Sequence, residues 1–206
     1  EELRRLADAL VVLLDTQTPH LVAVSSRDDW DRARLYGRTA VGLLRYHFWM
    51  ADPSPNRIAK LCALRDAMMA ANLRALVEQG PTLVYAHNAH LQRHESSMQT
   101  WDGTVRWWSA GAIVTAHLGA QYAFLAMALG TIPHRGVAAP PPQTVEGLLY
   151  ALSGDRHVVD ARRLAAAFGD VPPAPRVSPW FGYAPLDPAH LTELDGIVFV
   201  RDARPA

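Results

Sequence analysis

Cysteine is nearly missing from this chain. Cys62 is the only one in 206 residues, which excludes an intrachain disulfide and leaves a thiol that, set in a helical pattern, packs as a small apolar group. Lysine is just as scarce. Of the twenty Lys and Arg residues only Lys60 is lysine, and the twenty are balanced by twenty Asp and Glu. With no net charge and no basic run interleaved with aromatics, a nucleic-acid partner is not expected. Also absent is any run near the roughly 20 apolar residues that a membrane span needs, and charges occupy the N-terminal positions where a signal peptide is apolar. These absences predict a cytoplasmic protein without a membrane partner. There is no internal repeat and no G-x-S-x-G elbow, so an activated serine is a poor reading.

What is present suits one well-packed core. Half of the residues are hydrophobic, and at this length a single domain over residues 1–206 is the default. Leu3, Leu6, Leu10, Leu13 and Leu14 recur at helical spacing up to about Thr16, and Pro19 breaks that pattern. A second helix is expected from about Asp28 to Ala51, capped by Asp28 or Asp29 and stopped by Asp52-Pro53. A third follows Ser54-Pro55-Asn56 and runs to Gly80. Steps of four, three and four put Arg65, Met69, Asn72 and Leu76 on one stripe of that helix. Arg65 and Asn72 need polar partners there, either structural ones or a ligand.

Thr82 to Ala86 then reads as a buried strand emptying into His87-Asn88-Ala89-His90. Two imidazoles delivered beyond a strand end form a candidate site, because ligands in open α/β sheets bind at the carboxyl ends of strands. Leu91 to Thr104 reads as a polar loop over that end. Further elements are a helix from Gly111, a buried strand from Tyr122 to Thr131, a proline-rich loop from Val137 to Gln143, and a short helix capped by Thr144. A strand at His157–Asp160, a helix at Arg162–Phe168 and a closing strand at Gly196–Arg201 complete the alternation. Such alternation predicts an α/β fold with a mainly parallel sheet flanked by helices.

Two chemistries of the histidine pair stay open. His87, His90, His94 and Glu95 could ligate a metal, although the spacing is not that of H-E-x-x-H. Alternatively one imidazole activates water while other imidazoles and Arg65 stabilise an oxyanion, a hydrolysis that needs no cofactor.

Arg65-Asp66, Met69 and Asn72 set an R-D-x-x-M-x-x-N helix ahead of a strand ending in H-N-x-H. That order resembles the erythromycin esterase family, which also includes proteins connected with succinoglycan biosynthesis. Looser agreement continues through Gly119-Ala120-Gln121-Tyr122, the Thr144 to Leu149 helix start, and Leu194 to Val200. The resemblance implies a hydrolase of carboxylic esters or lactones, notably macrolides, with histidine-activated water. It places His87 and His90 in the catalytic cleft as the later histidine pair, with Arg65, Asn72 and Asn88 as substrate-side supports. Family domains are considerably longer, and an earlier part carries a glutamate-histidine motif that supplies the base. Nothing before Arg65 matches that motif, so the chain is expected to be the C-terminal half of an erythromycin-esterase-like domain. The expected partners are a small-molecule ester and either the other half of the domain or a second copy. A non-catalytic binding or assembly module of the same fold is the competing expectation.

Overall fold

The computed structural model describes residues 2–169 and 171–204. In chain order its helices and strands are α1 (Glu2–Thr16), α2 (Thr18–Val24), α3 (Arg27–Met50), α4 (Arg57–Val77), α5 (Asn88–Leu91), β1 (Glu95–Thr100), β2 (Gly103–Trp108), α6 (Ala110–Leu118), β3 (Leu125–Thr131), α7 (Val145–Ala151), β4 (Arg156–Val159), α8 (Ala161–Phe168) and β5 (Gly196–Asp202). The α/β class is as expected. Packing divides the chain into two compact units, Glu1–Tyr85 with His94–His117, and Ala86–Arg93 with Leu118–Ala206.

In the first unit α3 is the central element, packed by both α1 and α4. Its start is set by Ser26, whose hydroxyl accepts from the Asp29 amide, ahead of the start that a cap at Asp28 or Asp29 would give. Trp30, buried, donates its indole N–H to the Leu14 carbonyl at 2.9 Å and so ties α3 to α1. On α3, a Cβ at Gly42 would lie 2.4 Å from the Met68 sulfur, so the methionine side chain of α4 packs directly over the glycine. Pro19 does interrupt α1, but it also opens α2 at a first-turn position, where its missing N–H costs nothing.

Two expectations fail here. Leu91 to Thr104 is not an irregular loop; most of it enters an antiparallel hairpin in which Glu95 pairs with Trp108 and Thr100 with Gly103. Trp101-Asp102 makes the turn, and Gly103, which opens β2, has φ +116, a conformation suited to glycine. Conversely, Thr82 to Ala86 forms no strand, and Leu83 and Tyr85 are 96% and 88% exposed. Apolar composition does not make a strand unless its backbone N–H and C=O groups find a ladder, and these residues belong to none of the ladders among the described residues.

The second unit holds a three-stranded sheet in the order β3-β5-β4. β3 and β5 are parallel, with Ala126 beside Ile197 and Ala128 beside Phe199. β4 runs antiparallel to β5, with Val159 beside Ile197. The expected mainly parallel sheet is therefore mixed. A parallel β3–β5 pair requires a long crossover, and β4 lies within that crossover and returns along the far side of β5. Ala126, Ala128, Ile197 and Phe199 are buried, together with Val145 and Leu149 of α7. Thr144 caps α7 by accepting from the Gly147 amide and donating to the Pro141 carbonyl. A Cβ on Gly147 would fall 1.9 Å from that same Pro141 oxygen, so the proline loop and the helix meet only because residue 147 is glycine. No helix among the described residues is long and apolar enough to cross a membrane.

Candidate functional site

His87-Asn88-Ala89-His90 lies in the second unit as the start of α5. His87 keeps an extended backbone and acts as the N-cap, its Nδ1 accepting from the Ala89 amide at 3.2 Å. The His90 amide in turn donates to the His87 carbonyl at 2.9 Å. The two rings face each other edge to face, their centroids 6.4 Å apart. Crowding of the ring by its surroundings, and secondly the positive charge that His90 can carry, hold the His87 pKa below its ordinary value.

Asn88 anchors this turn to the sheet. Its Oδ1 accepts from the Met127 amide at 2.9 Å and its Nδ2 donates to the Met127 carbonyl at 2.7 Å. A side-chain amide thus does for β3 what a neighbouring strand's peptide group would do. On the far side of α5, Tyr122 donates its hydroxyl proton to the Leu91 carbonyl at 2.5 Å. Arg93 binds the Glu193 carbonyl, the Tyr122 carbonyl and the Asp195 carboxylate, the last at 2.6 Å. Asp195 also accepts from the Phe124 amide at 2.7 Å. Burial pushes the Tyr122 hydroxyl up to about 12, opposed by the Arg93 charge and assisted by Asp195. Tyr122 is therefore a fixed neutral donor. Arg93 and Asp195 are site supports that sequence reading did not single out. Their one signal was the Leu194–Val200 segment, where Asp195 sits just ahead of β5.

Elsewhere in this unit, Glu146 is fully buried on α7 and accepts from the Leu186 amide at 2.8 Å and from the Tyr183 hydroxyl at 3.1 Å. The Tyr183 hydroxyl also accepts from the Leu129 amide at 2.9 Å. Burial, with the Glu146 charge second, raises the Tyr183 hydroxyl far above its ordinary pKa. Arg176 donates to the carbonyls of Leu129, Gly130 and Ala138. These polar groups close one side of β3.

Arg65 and Asn72 belong to the first unit, with His94 and Glu95, whereas His87, Asn88 and His90 belong to the second. Arg65 is exposed. Its neighbour Asp66 is the buried member of the R-D motif, accepting from the Trp107 indole N–H at 2.7 Å and so tying α4 to β2. Asn72 donates to the Thr39 hydroxyl at 3.1 Å, while its Oδ1 is buried without a hydrogen-bond partner. Asn72 also lines a cavity of about 440 Å³ with Asp8, Val11, Arg38, Arg45 and Met68, and Arg65 does not. The stripe thus divides into one residue turned to solvent and one turned to a cavity.

The family model described as erythromycin esterase matches residues 1–203. A crystal structure of a Bacillus cereus protein is similar at 14% identity and a TM-score of 0.62, covering 95% of this chain and 50% of that one. The chain therefore spans about half the length of that protein, and at such identity the likeness concerns the fold. No curated protein matches the chain.

Proposed function

The chain belongs to the erythromycin esterase family, and from that premise we propose that it supplies part of a site that hydrolyses carboxylic esters or lactones with histidine-activated water. The observation that carries this reading is the His87/His90 pair on a turn whose intervening Asn88 is locked to β3 by two hydrogen bonds. Rigid support of that kind is what a reacting constellation needs, since small displacements of positioned groups cost large factors in rate. Asn88 serves in this reading by holding the turn rather than by touching substrate. Arg65 and Asn72, which belong to the first unit, keep a substrate-side role only as the family resemblance implies it.

Hydrolysis here means attack of a water oxygen on the carbonyl carbon while a base takes one water proton. Collapse of the tetrahedral intermediate breaks the bond to the alkoxide, which leaves as the alcohol. The competing reading is a non-catalytic binding or assembly module of the same fold. The two separate in one experiment. A complete family domain containing these residues is assayed against aryl esters and macrolactones, alongside His87→Ala and residues 1–206 alone. Turnover by the complete domain, lost in His87→Ala with unchanged circular dichroism and absent from residues 1–206 alone, supports the hydrolase. No turnover of any ester by the complete domain supports the module, and equal loss of folding and activity in His87→Ala assigns His87 a structural role.

A further inference from the structure

The two histidines are not chemically equivalent, and the difference lies in which ring nitrogen of His87 is occupied. We infer that His87 serves the site as a neutral hydrogen-bond donor through Nε2, polarising the ester carbonyl and holding its oxyanion, while the proton of the attacking water goes to another group. This rests on the ester-hydrolase reading above.

The Nδ1 of His87 accepts the Ala89 N–H at 3.2 Å. An acceptor nitrogen presents its in-plane lone pair, so a neutral ring that makes this bond carries its proton on Nε2. Nε2 is then a donor and has no lone pair with which to take a proton from water. Protonating Nδ1 instead would break the cap on α5 and leave the Ala89 amide facing a second N–H. The charged form, protonated on both nitrogens, is disfavoured for a separate reason: the His90 ring stands 6.4 Å away, and two imidazolium rings at that distance repel. Partial desolvation of the ring, although the residue is exposed overall, acts in the same direction. The ring is therefore held uncharged, with one donor aimed away from its own turn. Preorganised donors of this type act on the charge that develops in the transition state.

The step balances without any change in the protonation of His87. Water oxygen bonds to the carbonyl carbon, the π pair moves to the carbonyl oxygen, and the Nε2–H of His87 donates to that oxyanion. A separate base takes the water proton. The intermediate then re-forms its carbonyl, the ester C–O bond breaks, and the base returns the proton it took from water to the departing alkoxide, giving alcohol and acid.

Two measurements test this. In residues 1–206 with 15N-labelled histidine, long-range proton–nitrogen NMR correlations report which ring nitrogen carries hydrogen. The expected pattern at neutral pH and above is a protonated Nε2 and an unprotonated Nδ1 for His87. A protonated Nδ1, an even mixture of tautomers, or a ring still charged at neutral pH overturns the inference. In the complete domain, His87→Asn keeps an oxygen able to cap Ala89 but removes the Nε2 donor. Its kcat is expected to fall on the order of 10² to 10³ fold, with KM little changed and the basic-group limb of the pH–rate profile in place. Disappearance of that limb would make His87 the base and reject the donor role, while leaving the ester reading intact. If the NMR pattern holds but the complete domain turns over no ester, the ester reading fails, and the donor role in catalysis falls with it.

Discussion

Replacing Asn88 with alanine removes both hydrogen bonds that fasten the histidine turn to β3. The distances, 2.7 Å to the Met127 carbonyl and 2.9 Å from its amide, are those of well-formed bonds. Each is worth about 1 kcal/mol net, so the local cost is roughly 2 kcal/mol, or about a 20- to 30-fold change in an opening equilibrium. Because the chain has two units, a global unfolding curve would blend their responses, and a local probe is better. Native-state hydrogen exchange at the Met127 amide reads the loss directly, and exchange there should accelerate by that factor in Asn88→Ala. Asn88→Asp separates the two bonds. It keeps an acceptor for the Met127 amide but sets an oxygen against the Met127 carbonyl, so Met127 protection should survive better than in the alanine variant. Exchange at Met127 unchanged within about twofold in Asn88→Ala would refute the clamp, on a scale where 1.4 kcal/mol is tenfold. It would also remove the structural support from the candidate site.

Trp107→Phe takes the indole donor from the buried Asp66 carboxylate and should cost about 1.5–3 kcal/mol, the range for bonds to charged groups, measured by urea unfolding followed by circular dichroism. Tyr183→Phe leaves the Leu129 amide and the Glu146 oxygen short of a partner, with an expected loss of about 1–3 kcal/mol in the same assay. Gly147→Ala drives a Cβ into the Pro141 carbonyl at 1.9 Å, and because the obstacle is backbone the loss should exceed about 2 kcal/mol, read as a lowered Tm and poor soluble yield. For pH, the folded His87 pKa lies below its ordinary 6.5, so below that value the unfolded chain binds the proton first. Stability is complete above about pH 6.5 and falls as pH drops toward the depressed folded pKa; His87→Asn should flatten that part of a stability–pH curve, and an unaltered curve would contradict the assignment.

Elements that announce themselves through local chemistry were legible in the sequence. The leucine period of α1, the Thr144 cap of α7 and the apolar run of β5 depend on residues near one another in the chain, and each is found where its pattern lies. Failures fall where structure is a relation between distant segments. Thr82 to Ala86 has strand composition but no ladder partner, and nothing in the residues themselves reports that. In β1 the opposite holds: Ser96 is buried and polar, so alternation of burial is invisible as alternation of hydrophobicity. In the R-D-x-x-M-x-x-N helix the motif was legible, but not the division of labour within it. Arg65 drew attention for its charge, while Asp66 does the buried work with Trp107. The histidine pair was legible as chemistry, yet the acceptor role of His87 Nδ1 emerges only once α5 starts there.

The side-chain bonds along β3 have a bearing on solubility. Met127 and Leu129, two residues apart on its outer edge, have their amides taken by Asn88 and Tyr183, and their carbonyls by Asn88 and Arg176. An exposed strand edge is a template for pairing with a foreign chain. Here an incoming strand would find those donors and acceptors already spent, and could extend the sheet at Met127 only by prising off the turn that carries both histidines. Resistance to edge-to-edge aggregation and integrity of the candidate site therefore depend on the same asparagine.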